Sequence, residues 1–181
     1  MRMSCNILSI WKPALFVWAF LVFSPQAHAA DAPDVKQDFI SNVFSDTPPM
    51  SQTLWLNRAQ KKDAKKILRH DYGALRVRYW KDEERTVWVL DEIGKYKPIT
   101  VGLVINDGSI EKLSVLAYRE SHGWEVKHDF FTHQFIGAKL SPNWKMDQGI
   151  DGISGATLSV RALKKLARLA LYFDQEVNGK P

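Results

Sequence analysis

Apolar and polar positions change rhythm several times along this chain. Four runs between residues 74 and 120 are rich in β-branched and aromatic side chains: ALRVRYWK (74–81), RTVWVLDEI (85–93), ITVGLVIN (99–106) and IEKLSVLAYRE (110–120). Leu75, Val77 and Tyr79 fall at a period of two, and each run has the composition of a strand. Turn chemistry separates them: Asp82-Glu83-Glu84, then Gly94 to Pro98, then Asn106-Asp107-Gly108. The last is a strong hairpin signal, so an antiparallel meander is expected. Leu158 to Phe173 changes to helical spacing, with Leu163, Leu166, Ala170 and Phe173 on one face. Arg161, Lys164, Lys165 and Arg168 repeat on another, which predicts a solvated side. Ahead of the strands, TLWLNRAQKKDAKKILRH (53–70) reads as a helix capped by Ser51 or Thr53 and ended by Gly73.

Elsewhere the rhythm is weaker. Residues 30–50 are polar and carry Pro48-Pro49, which predicts a mobile lead-in with a short ordered turn around Phe39 to Phe44. Between Ser121 and Asp147 a helix is expected from about Glu125 to Phe135, with Gly137 as its stop. SPNWKMDQG then forms a loop, and Ile150 to Ser154 a last short strand. The pattern as a whole predicts an α+β fold: a small single domain over residues 51–181, with an antiparallel sheet, an N-terminal helix and a C-terminal helix that follows the turn Ser154-Gly155-Ala156-Thr157.

The first residues have a different meaning. Arg2 and Lys12 precede an apolar block, Pro13 to Phe23, and Ala27-His28-Ala29 follows as an A-x-A cleavage pattern. Residues 1–29 read as a secretory signal peptide cut after Ala29, which predicts a periplasmic or otherwise extracytoplasmic domain. The apolar block is shorter than the ~20 residues a spanning helix needs.

Charge and cysteine usage then narrow the chemistry. The formal net charge is +5, too mild to argue for nucleic acid. The one cysteine, Cys5, lies inside the signal, so the expected domain has neither a disulfide nor a C-x-x-C-H haem site. Any redox work there needs a cofactor without a thiol. His122, His128 and His133 are spaced by six and five residues, which does not align them on one helix face; no metal site is expected. Gly152-Ile153-Ser154-Gly155-Ala156 misplaces the second glycine of a hydrolase elbow, and neither a P-loop nor a dinucleotide fingerprint is present.

The remaining question is Ser154-Gly155-Ala156-Thr157 ahead of a basic helix. Small residues at a helix start can serve as a cap. They can equally open the unpaired N–H groups and the positive dipole end to a phosphate. Asp151-x-x-Ser154-Gly155-Ala156-Thr157 resembles the flavinylation signature of the FMN-binding domain family. That family includes the covalently flavinylated subunits of the sodium-translocating NADH:quinone reductase and of the related Rnf complex. Tyr118-Arg119-Glu120-Ser121-His122-Gly123-Trp124 resembles the family's E-T-P-G loop, with serine for threonine and histidine for proline. Phe135-Ile136-Gly137-Ala138-Lys139 resembles its F-x-G-K segment with one extra residue. The resemblance runs from about Tyr72 to Phe173.

The resemblance implies FMN joined to Thr157 through a phosphoester, installed by an exported flavin transferase. It implies a phosphate turn made by Ser154, Gly155 and Ala156, with Asp151 ordering that turn or serving the transferase. Glu120, Ser121, His122 and Gly123 would line the isoalloxazine edge, and Trp124 is the candidate stacking ring. The function it implies is electron transfer between a membrane-bound redox protein and an extracytoplasmic acceptor. Two alternatives stay open: a non-catalytic exported binding module in which the small-residue turn is only a cap, and a soluble flavin reductase that turns over NAD(P)H.

Overall fold

In a computed structural model, residues 34–45 and 47–179 are described. The signal expected over residues 1–29 and the start of the lead-in lie outside them. The elements run α1 (Val35–Val43), β1 (Gln52–Trp55), α2 (Arg58–Leu68), β2 (Arg76–Asp82), β3 (Arg85–Ile93), β4 (Pro98–Asn106), β5 (Ser109–Tyr118), a 3-10 turn (Trp124–Lys127), the single turn α3 (Asp129–Thr132), a second 3-10 turn (His133–Phe135), and α4 (Thr157–Asn178). Among the described residues no helix is long and apolar enough to cross a membrane.

The fold is α+β, and the sheet is the meander that turn chemistry predicts. Five strands pair in the order β1-β2-β3-β4-β5, every pair antiparallel. Asn106 pairs with Ser109, leaving Asp107 and Gly108 as a two-residue loop. Their φ angles are 48° and 65°, the two positive values that a type I′ hairpin requires. Between β3 and β4 the pairing closes at Ile93 and Pro98, so Gly94 to Lys97 form the hairpin tip.

β4 is buried on both faces, and this explains its unbroken apolar run. Ile99, Val101, Leu103 and Ile105 face the main core with Trp88 and Leu90 of β3, under α2 and α4. Val104 and Val87 face the other way, toward Phe39 and Ile40 of α1. The molecule is thus a sheet with α4 and α2 on one side and α1 on the other. Gly102 sits where Phe39 docks. A Cβ there would lie 2.5 Å from the Phe39 ring, so the bare backbone of β4 is what admits it.

Several expected boundaries move. The turn expected around Phe39 to Phe44 is part of a full helix, because Asp34 caps it and Phe39 with Ile40 anchor it on the sheet. The helix expected from Thr53 begins at Arg58 instead. Thr53 pairs with Arg78 in an edge strand, and the cap is Asn57, in a capping box with Gln60. The helix expected over 125–135 is broken by the extended backbone at His128 (φ −80°, ψ 151°) into a 3-10 turn before it and a short helical run after it, which tightens to 3-10 at His133. Residues 150–154 form no strand; Ile150 packs into the core as part of a loop. α4 begins at Thr157 and runs on to Asn178, past the expected end at Phe173.

α4 is the rod that carries the site. Leu163, Leu166, Ala170 and Phe173 are fully buried, as their spacing requires. Its basic side is less solvated than expected. Lys165 Nζ reaches the buried Glu92 Oε1 on β3 at 2.7 Å, and His70 Nε2 meets Glu92 Oε2 at 3.0 Å. Lys164 donates to the carbonyl of Ile150, and Arg168 Nε donates to that of Lys164. These contacts tie the middle of α4 to β3 and to the loop at Ile150.

Candidate functional site

The start of α4 answers the question left open by its small residues. Its N-cap position is Ala156, with φ −110° and ψ 17°, and no side chain caps it. Ala156 N–H donates to Ile153 O at 3.0 Å, and the first helical bond runs from Val160 N–H to Ala156 O at 2.9 Å. Helix geometry leaves the amides of Thr157, Leu158 and Ser159 without intrahelical partners. Thr157 is exposed and Gly155 has φ +82° with nothing within 4 Å of where its Cβ would be. Donors, dipole and a hydroxyl therefore face open space.

Gly123 brings the loop after β5 onto this helix start. Its φ is +86°, and a Cβ there would lie 3.0 Å from the Tyr118 hydroxyl, 3.1 Å from Ala156 Cβ and 3.1 Å from Ser159 Oγ. Only glycine satisfies both the dihedral and the space. Tyr118 pins the same junction: its hydroxyl donates to His122 O at 2.5 Å and lies 2.8 Å from Ser159 Oγ. With the phenol proton spent on His122, Ser159 is the donor of that second bond. Burial pushes the Tyr118 hydroxyl up from its ordinary pKa, so it keeps its proton.

The two segments and the β3–β4 tip enclose a cavity of about 550 Å³. Gly155, Ala156, Thr157, Leu158 and Ser159 line it from α4; Glu120, Ser121 and His122 from the loop after β5; Lys95 and Tyr96 from the hairpin tip. A smaller cavity of about 330 Å³ adjoins it and shares Ser121, His122 and Gly155. Gly123, Trp124, Glu125 and Ser154 line only the smaller one.

Of the expected site residues, Thr157, Ala156, Gly155, Glu120, Ser121 and His122 converge on the larger cavity. Gly123 stands at its junction with the smaller one. Trp124 and Ser154 face the smaller cavity, and Trp124 meets His128 edge-on at a centroid distance of 4.9 Å. Asp151 lines neither; its N–H donates to Gln134 Oε1 at 2.7 Å. Glu120 is already engaged by backbone amides. Hydrogen bonds from Lys97, then Tyr96, outweigh its desolvation and, with Lys95, hold the carboxyl below its ordinary pKa. The segment from Phe135 to Lys139 is distant from this site along β5. It bonds Ile110 and Ser109 at the start of that strand, whereas the cavity lies beyond Tyr118 at its end.

Lys95, Tyr96, Leu158 and Ser159 complete the lining and do not stand out in the sequence. The only signal for the first two is the turn between Gly94 and Pro98, which marks a hairpin without saying what it faces.

The arrangement suits a phosphorylated planar ligand. Its volume is within the roughly 300–1,000 Å³ of small-molecule sites. The uncapped amides and dipole favour a phosphate, Lys95 adds a cation, and the one carboxylate in the lining is tied up by amide donors. Residues 94–172 match the family model of the FMN-binding domain. The match begins at the hairpin tip, later than Tyr72, and takes in both the loop after β5 and the start of α4. No curated protein matches the chain.

Proposed function

We propose that the chain is a flavoprotein with FMN as its cofactor, that this FMN is covalently held at Thr157 and that the protein is an exported electron carrier; the match of residues 94–172 to the FMN-binding domain supports the cofactor. The observation that carries this reading is the Thr157 hydroxyl, exposed on the large cavity at a helix start that no side chain caps. A helix start built for stability alone would have an acceptor side chain at the cap; here the cap is alanine.

In this reading Thr157 Oγ1 bears the phosphoester. The first-turn amides and the dipole of α4 stabilise the phosphate charge, and Gly155 lets that phosphate approach the backbone. Ser121 and His122 face the ring cavity, and Tyr118 with Ser159 keeps their loop on α4. FMN when bound supplies one- and two-electron chemistry, while the protein sets its place and potential. A flavin transferase performs the attachment, a membrane-bound redox protein exchanges electrons with the domain, and the final acceptor lies outside the cytoplasm. Export through a cleaved signal over 1–29 gives the covalent link its purpose, since dissociable FMN would be lost there.

Intact-mass spectrometry on protein from its native host tests the link. One FMN adduct is expected, with yellow fluorescence that survives denaturation in a gel. Coexpression with and without a flavin transferase should give fluorescent and dark bands respectively. Thr157→Val should remove the adduct completely and leave the circular dichroism and melting temperature of the unloaded protein unchanged. An unmodified native mass sinks the proposal, and an adduct that survives Thr157→Val moves it to another residue.

A further inference from the structure

A single carboxylate oxygen holds the β3–β4 hairpin tip. Glu120 Oε1 accepts from the N–H groups of Lys95 at 2.5 Å, Tyr96 at 2.6 Å and Lys97 at 2.8 Å. Charge-assisted bonds from three successive amides make the tip a fixed turn rather than a mobile one. Gly94 belongs to the same device. A Cβ there would lie 2.9 Å from that oxygen and 3.0 Å from Ile99 Cδ1, so a side chain would push the carboxylate away. The turn closes through Gly94 N–H to Lys97 O at 3.1 Å.

What this clamp presents is Tyr96. The side chain is 75% exposed and stands in the wall of the larger cavity, with Lys95 Nζ 4.8 Å from its ring centroid. Among the described residues it is the one phenol or indole ring on that cavity; Trp124 belongs to the smaller one. A large ring gains little for the fold when left in water, yet here its backbone is fastened by three bonds. An aromatic ring held at a cavity wall is suited to pack on a planar ligand.

The geometry points to Tyr96 as the ring that stacks on the isoalloxazine, and to Glu120 as the positioning residue that holds Tyr96 there through the hairpin backbone. This rests on the reading that FMN occupies the larger cavity, and it takes the stacking role from Trp124 and the ring-edge contact from Glu120.

The test uses flavin emission, because a tyrosine in contact with an excited flavin quenches it by electron transfer. Full-length protein is loaded with FMN, the loading is measured by intact mass, and emission per flavin is compared before and after denaturation. The wild type should be strongly quenched when folded. Tyr96→Ala should raise folded emission several-fold, and Tyr96→Trp should keep it low. Glu120→Ala should raise emission as Tyr96→Ala does, while Glu120→Gln, which retains an acceptor oxygen, should restore quenching. The double variant Tyr96→Ala/Glu120→Ala should be no brighter than Tyr96→Ala alone, since both changes remove one contact. Tyr96 is exposed, so its variants leave the core intact. Unchanged quenching in a loaded Tyr96→Ala protein overturns the inference. So does emission released by Trp124→Ala and not by Tyr96→Ala, or by the double variant beyond either single one. An unmodified wild-type mass would instead overturn the reading beneath it.

Discussion

α2 and α4 begin in opposite ways. At α2, Asn57 Oδ1 accepts from Gln60 N–H and Gln60 Oε1 accepts from Asn57 N–H, both at 2.9 Å. Two orphan donors are satisfied by that exchange. At α4 the cap is alanine and no side chain answers. The difference follows what else holds each helix. α2 has eleven residues, and only Ala64, Ile67 and Leu68 are buried; most of the rest is lysine-rich surface. α4 has 22 residues, with an apolar face sunk in the core from Val160 to Phe173. Packing, rather than its ends, supplies most of a helix's stability. α4 can therefore leave its first amides free for a ligand, and α2 keeps its cap.

The hardest way to break this contrast is at Gly123, the contact that seats the loop after β5 on the start of α4. Gly123→Val puts a β-branched residue at φ +86° against the Tyr118 hydroxyl, Ala156 and Ser159. Left-handed strain and overpacking together should destabilise by roughly 3–4 kcal/mol. Urea unfolding would show it, and FMN loading should fall with it, because the junction of the two lining segments is what shifts. If stability drops while loading stays at the wild-type level, the seating of this loop is irrelevant to the site.

The strands were legible because they obey a period of two and are separated by turns with a stated geometry. Asp107-Gly108 even gives the β4–β5 register. β1 was not legible. It has four residues, mostly exposed, and Leu54 with Leu56 merges by spacing into the helix that follows. α1 was missed because its anchors, Phe39 and Ile40, are adjacent and show no helical period. At the site, the two short motifs were legible because the residues of each act locally. Tyr96 was not, because its place depends on Glu120, 24 residues further on. Lys165 looked solvated for the same reason: its partner Glu92 is 73 residues away.

The far end of α4 offers a milder test of the claim that its interior holds it. Asp174 is 1% exposed and accepts from Thr86 Oγ1 at 2.5 Å and from Asn178 Nδ2 at 3.0 Å, while Trp88 Nε1 donates to Thr86 at 2.9 Å. Desolvation by burial pushes its carboxyl up to about 6; the Thr86 bond and Lys81 oppose this, and Glu84 and Asp107 add to it. The folded state therefore holds this proton more tightly than the unfolded chain, whose value is near 3.8. The stability it contributes is complete below about pH 4 and is lost as pH rises through about 6. At roughly 1.4 kcal/mol per pKa unit, the loss is about 2–3 kcal/mol. Asp174→Asn should abolish that part of the slope. Urea midpoints of the wild type and the variant, measured from pH 4 to pH 7, should differ by an amount that changes across the window. A constant difference would mean that Asp174 has the same pKa in both states.

The smallest effect is the most direct comparison of the two helix starts. Asn57→Ala removes the Oδ1 that accepts from Gln60 N–H and so leaves that donor of the α2 box without its acceptor, while the backbone N–H at 57 is kept. It should cost about 1 kcal/mol, within the range of roughly 0.5–2 for capping residues. Ser154→Ala, by contrast, removes a hydroxyl that caps nothing, and should stay within about 0.5 kcal/mol of wild type. The outcome that matters is the crossed one. Measured on unloaded protein, equal losses at the two positions would mean that Ser154 does serve α4 as a cap in solution, by a bond to the first-turn amides. Those amides would then be occupied by the fold itself, and a phosphate would have to displace a hydroxyl to reach them. Measured on loading, Asn57→Ala should leave the FMN adduct at wild-type yield, because α2 meets the site only through the flank of α4. The two readouts together separate a helix start that serves stability from one that serves a ligand.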